Sequence, residues 1–110
     1  MTQKHSLEAL GRELLARAAN GPGRAGQTVV GGHEKSLRQT VIAMTANAEL
    51  TEHANPGEAT VQVLRGRVVL SSNGQSWEGR DGDLIVVPDA PHSLRAEHDS
   101  VIVLTVAKLP

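Results

Sequence analysis

The chain has 110 residues, 39% of them hydrophobic, and its 11 basic and 12 acidic side chains leave a formal net charge of -1. That length suits one domain with its own core, and the balanced charge offers no field for nucleic acid or an anionic membrane. Without cysteine there are no disulfides, thiolate metal sites or thiol nucleophiles, and with Trp77 as the only aromatic there is no base-stacking platform and the core must be aliphatic.

The first element in chain order is a helix over residues 6–19. Leu7, Leu10, Leu14 and Ala18 recur at helical spacing. Ser6 suits the cap, Glu8 the positive end, and Arg12 and Arg17 lie towards the negative end. Asn20-Gly21-Pro22-Gly23 stops it. The stripe is expected to pack on its own domain or on a second copy. Its polar face carries mixed charge, which does not suit a membrane. No apolar run reaches the roughly 18 residues of a membrane span, and the N-terminus lacks a signal-peptide core, so a soluble, cytoplasmic protein is expected.

After residue 26 the pattern shortens to strand length. Strands are predicted at 27–31, 37–44, 49–53, 60–64, 67–71, 76–78, 84–87, 92–95 and 101–106. Turn residues separate them, among them Gly31-Gly32, Asn55-Pro56-Gly57, Asn73-Gly74, Asp81-Gly82 and Pro88-Asp89-Ala90-Pro91. Asn73-Gly74 suits a tight hairpin because both residues tolerate positive φ. Many short strands with no helices between them argue for a barrel or sandwich. The expected organisation is therefore an N-terminal helix and linker, 1–26, followed by a β-barrel domain, 27–110.

Two stretches carry a pattern of their own. From Asn47, five residues lead to His53, one to Asn55, three to Ala59 and six to Gly66. From Gly82, five residues lead to Pro88, and His92 and Ala96 follow. Together these resemble the paired motifs of the cupin superfamily, over roughly residues 36–107. Asn47 stands where that family has glycine, a swap its tolerance of left-handed backbone permits. The turn from Pro88 to His92 is one residue short. The resemblance implies an all-β jelly-roll barrel with one N-terminal helix.

It also implies where a metal would bind. The family holds Fe, Mn, Ni or Zn with two His and a Glu from the first motif and a His from the second. Position by position these are His53, Asn55, Ala59 and His92, so two imidazoles remain and the anionic ligand has become a methyl. Oxygenase sites usually supply two His and a carboxylate. Glu58 neighbours the lost position, but adjacent strand residues face opposite ways, so it looks outward if Ala59 looks inward, unless Pro56-Gly57 forms a bulge.

Three functions remain open. One is a barrel that binds a small molecule around His53 and His92, with Asn55, Ala59, Val61 and Val63 lining the pocket and the metal site degenerate. The second is a metal-dependent enzyme, of dioxygenase or isomerase type, that uses His53 and His92 as ligands to a divalent ion. The third is a structural or regulatory dimer with no ligand. The resemblance also implies a homodimer, to which the Leu7/Leu10/Leu14 stripe or the strand 27–31 would contribute. Trp77 is expected on the barrel exterior or at a subunit contact, and His5, His33 and His98 at the surface. No phosphate loop or nucleophile elbow occurs.

Overall fold

In the computed structural model, which describes residues 2–52 and 57–108, the Ser6 side chain accepts a hydrogen bond from the Ala9 amide at 3.2 Å. This caps α1, Leu7–Ala19, since that amide has no partner inside the helix. Arg12 reaches back to Glu8 at 2.9 Å on the exposed face. Nine strands follow among the described residues: β1 (Arg24–Val30), β2 (Leu37–Met44), β3 (Glu49–Glu52), β4 (Gly57–Arg65), β5 (Arg67–Ser72), β6 (Gln75–Arg80), β7 (Leu84–Val86), β8 (His92–Ala96) and β9 (Ser100–Lys108).

All strand pairs are antiparallel, in a five-stranded sheet ordered β1-β2-β9-β4-β7 and a four-stranded sheet ordered β3-β8-β5-β6. Apart from the β1–β2 and β5–β6 hairpins, consecutive strands cross between the sheets, and the two apolar faces enclose one core. Met44, Ala59, Val61, Val63 and Ile102 come from the first sheet and Val68, Leu70, Leu94 and Ala96 from the second. The expected all-β jelly roll with one N-terminal helix is the fold observed.

Alternation then decides what lies outside. Val41, Ala43, Val101 and Val103 point away from that core and meet Leu14, with Leu7 and Leu10 packed alongside. The helical stripe is thus used within the chain: Leu14 is fully buried on the outer face of its own sheet. Gly11 permits this approach, because a Cβ there would stand 2.9 Å from Val101 Cγ1.

Several strands are longer than their sequence pattern. β1 begins at Arg24 because Arg24, Ala25 and Gly26 continue the ladder against Met44, Ala43 and Ile42. β4 begins at Gly57 and β9 runs to Lys108 because these two residues pair with each other. Ladder pairing recruits residues whose own side chains carry no strand signal. Turn chemistry matches expectation. Asn73 and Gly74 take φ of 52° and 78° between the paired Ser72 and Gln75, and Asn47 takes φ 73°. Gly66, at φ 104°, joins β4 to β5; a Cβ there would lie 2.5 Å from the Asp99 carbonyl oxygen and closer still to Ser100 Oγ. Trp77 pairs in register with Leu70, which places it at the edge of the core-facing side of β6, 40% exposed, and not on the exterior face.

Candidate functional site

His92 opens β8 and is half-buried. The turn before it is pinned from three sides. The buried Ser72 hydroxyl donates to the Pro91 carbonyl at 2.8 Å, the Ala90 amide donates to Pro88 O at 2.9 Å, and His92 Nδ1 lies 2.9 Å from Ala90 O. A carbonyl only accepts, so Nδ1 carries a proton, and in the neutral ring the lone pair sits on Nε2. That nitrogen is the one left for a ligand.

The ring stands over a hollow lined otherwise by apolar side chains, including Leu50, Val61, Leu70, Val87 and Leu104. Its volume is about 30 Å³, room for roughly one water molecule. Val61 and Val63 face inward as the sequence predicts, but as packed core: Val63 is fully buried and Val61 nearly so. The pocket expected around them is filled by the aliphatic side chains themselves. Ala59 also faces inward, 8% exposed, and Glu58 is exposed, so alternation holds and Glu58 does not take the place of the missing carboxylate.

The larger opening lies at the same end of the barrel. The Val87 amide donates to Ala59 O at 3.0 Å. A hollow of about 540 Å³ lies there on the outside of the five-stranded sheet, lined by the outward-facing Glu58, Thr60, Thr105 and Ala107 together with Val86 and Asp89, and it reaches the edge of Ala59 and Val87. Val87 lines both hollows, so Ala59 and the hollow under His92 have this residue as a common neighbour.

His53 and Asn55 lie outside the described residues. Their neighbour Glu52 is the register partner of His92 at the end of the β3–β8 ladder, a position the motif reading passes over. It became visible only once the ladder was known. Among the described residues no three His, Asp or Glu side chains come together as a metal site would need. At the family's four metal positions the chain carries His53, Asn55, Ala59 and His92; of these Ala59 and His92 are described, and the position of the anionic ligand holds a methyl group, which leaves a divalent ion without its charge-neutralising donor.

On the far sheet, Glu78 accepts from Arg67 Nη2 at 2.6 Å and from Arg80 Nε at 2.7 Å. Hydrogen bonding from Arg80, and then from Arg67, holds its carboxyl below the ordinary value near 4.5. Arg67 is therefore paired across β5 and β6, and Arg80 along β6. Arg67 Nε is buried with no partner.

The two stacked antiparallel sheets, with an imidazole at one mouth, define a small jelly-roll barrel. The sequence model described as the cupin domain matches residues 40–107, and the chain belongs to that family. Among solved structures it is similar to a conserved Streptococcus pyogenes protein of unknown function, at 27% identity over 79% of this chain and 75% of the other, with a TM-score of 0.72. It is also similar to a cupin superfamily protein of Desulfitobacterium hafniense, at 11% identity over 78% of each chain and a TM-score of 0.71. A third similarity is to the salicylate 1,2-dioxygenase of Pseudaminobacter salicylatoxidans, at 23% identity and a TM-score of 0.76. It covers 90% of this chain but only 33% of that enzyme. The last two share the fold alone. No curated protein is detectably similar to the chain.

Proposed function

We propose that this protein is a single-domain cupin that binds a small organic molecule at the mouth of its barrel, without a resident metal and without metal-dependent chemistry. The observation that carries this reading is His92. Its ring is fixed by Ala90, the residue borders an apolar hollow, and Ala59 replaces the acid that would turn the same mouth into a metal centre. A site with mostly apolar walls and one fixed polar group orients an organic ligand. Because the hollow under His92 holds only about 30 Å³, the body of the ligand rests on the rim beside Ala59 and Val87 and only its tip enters. In this reading His53 and Asn55 complete the rim, the barrel of residues 27–110 is the binding unit, and residues 1–26 cover its outer face. The protein works in the cytoplasm as a homodimer.

The similarity to the salicylate dioxygenase favours a second reading, a metal-dependent enzyme using His53 and His92. Two measurements separate the readings. Elemental analysis of protein purified without an affinity tag is expected to find no stoichiometric transition metal. Thermal melts with salicylate are expected to show stabilisation that His92→Ala abolishes. Stoichiometric metal would overturn the first reading in favour of the second, and no stabilisation by salicylate would count against ligand binding at this mouth.

A further inference from the structure

The inner face of the five-stranded sheet carries a second feature on the same rim. In the β2–β9–β4 register, Arg38 pairs with Val106 and Val106 with Ala59, so these three form one inward row. Thr28, Thr40, Leu104 and Val61 form the next row inward. Lys108, two residues beyond Val106 on β9, falls on the same face by alternation. Arg38, Lys108 and Thr28, together with Gly31, Gly32 and His33 of the following loop, line a hollow of about 300 Å³.

The lining is cationic and largely uncommitted. Among the described residues the Arg38 guanidinium makes no hydrogen bond or ion pair, and Lys108 Nζ meets only the Gly32 carbonyl at 3.4 Å. Glu34, whose carboxylate would stand 3.2 Å from a Cβ placed on Gly32, is absent from the lining, and Glu58 occupies the opposite face. Gly31 and Gly32 contribute backbone without side chains, which keeps the hollow open. Ala59 and Arg38 are two strands apart, about 10 Å, a span that the guanidinium arm and a single-ring ligand cover together.

We infer that Arg38 and Lys108 form an anion subsite, and that the ligand of this barrel is a small organic acid whose apolar body lies at His92 and Ala59 while its carboxylate is held by these two cations. The inference rests on the proposed binding at the mouth and adds the class of ligand. It follows from a reversal of charge along one row: the mouth has lost its acid at Ala59 and carries a free fork-shaped cation at Arg38, the geometry that pairs with a carboxylate through two parallel hydrogen bonds.

The test uses benzoate and its neutral counterpart benzamide, titrated into the full chain and followed by amide NMR shifts of residues 28–40, 59 and 87–92. Benzoate is expected to bind at least about tenfold tighter than benzamide. The double variant Arg38→Gln/Lys108→Gln is expected to lose that preference while its melting curve stays near wild type, since neither side chain packs in the core. His92→Ala is expected to weaken both ligands. If the two bind equally and the double variant changes nothing, the anion subsite is wrong and binding at the mouth stands. If neither perturbs residues 59 and 87–92, both readings fall. If inorganic phosphate competes as strongly as benzoate, the cations bind an isolated oxyanion and the organic-acid assignment is overturned.

Discussion

His92 Nδ1 and the carbonyl oxygen of Ala90 lie 2.9 Å apart, and that contact fixes the tautomer of the one described imidazole at the barrel mouth. Because a carbonyl cannot donate, the exchangeable proton of the neutral ring belongs on Nδ1. Long-range proton–nitrogen correlation spectra are expected to show His92 as the Nδ1–H tautomer, with a pyridine-like Nε2. A pyrrole-like Nε2 in the neutral ring would mean that this nitrogen donates to a ligand instead of accepting from one.

Restoring the missing acid tests the metal argument directly. Ala59→Glu places a carboxyl at a position 8% exposed and surrounded by aliphatic side chains. The apo variant is expected to be less stable by about 1–3 kcal/mol. Wild-type melting temperatures are expected to ignore added Mn, Ni or Zn, whereas the variant recovers part of its loss with one of them. Stabilisation of the wild type by one equivalent of any of these ions would contradict the donor-set reading.

Two glycines separate steric from conformational cost. Gly66 and Gly82 both have positive φ, 104° and 88°. A Cβ at Gly66 would press on Asp99 and Ser100, and one at Gly82 would meet nothing within 4 Å. Urea denaturation is expected to show a loss of about 1 kcal/mol for Gly82→Ala, the left-handed penalty alone. Gly66→Ala is expected to lose about 3 kcal/mol or more, since the chain must also move. Equal losses would show that the β4–β5 junction yields easily.

The acid limb of stability should carry the mark of Glu78. Its carboxyl is held below the ordinary value near 4.5, by Arg80 first and Arg67 second. The folded protein therefore binds fewer protons at this site than the unfolded chain. Its contribution is complete above about pH 5 and is lost as pH falls through the depressed value. The urea midpoint of wild type is expected to exceed that of Glu78→Gln at pH 7, with the gap narrowing as pH falls below the ordinary value near 4.5 and through the depressed one. The gap is small, because all three side chains are partly exposed. A gap that does not narrow anywhere on the acid limb would refute this account.

The helical stripe packs against its own sheet. β1, at the edge of the five-stranded sheet, remains available for a subunit contact. Light scattering is expected to give twice the mass of one chain, and a proline at Gln27 is expected to shift that mass towards the monomer. A single-chain mass for wild type would end the dimer proposal.

Much of this molecule was legible from residue order. The helix, the sequence of strands, the Asn73-Gly74 turn and the inward alternation of Ala59, Val61 and Val63 follow from period and turn chemistry. Strand ends did not: Arg24 and Lys108 join ladders because their partners are there, a tertiary effect with no local signature. The pocket was misjudged for a related reason. Inward Val61 and Val63 suggest cavity lining, but with Ile102 and Leu104 beside them and Leu70 on the facing sheet they fill most of the space, and only packing in three dimensions distinguishes a wall from a plug. Arg38 was hidden because charge on a strand looks solvated until register shows which row it shares. His53 and Asn55, on which the motif reading leaned most, lie outside the described residues.

Gly11 has a further consequence. The helix backbone rests on Val101 because that one position has no side chain, and a slide of one turn in either direction would bring Leu7 or Leu14 onto the same valine. The N-terminal segment therefore has a single seating, like a key cut with one notch. Whatever Leu7, Glu8 and Arg12 present beside Leu64 and Asp81 is presented at one fixed place on every molecule.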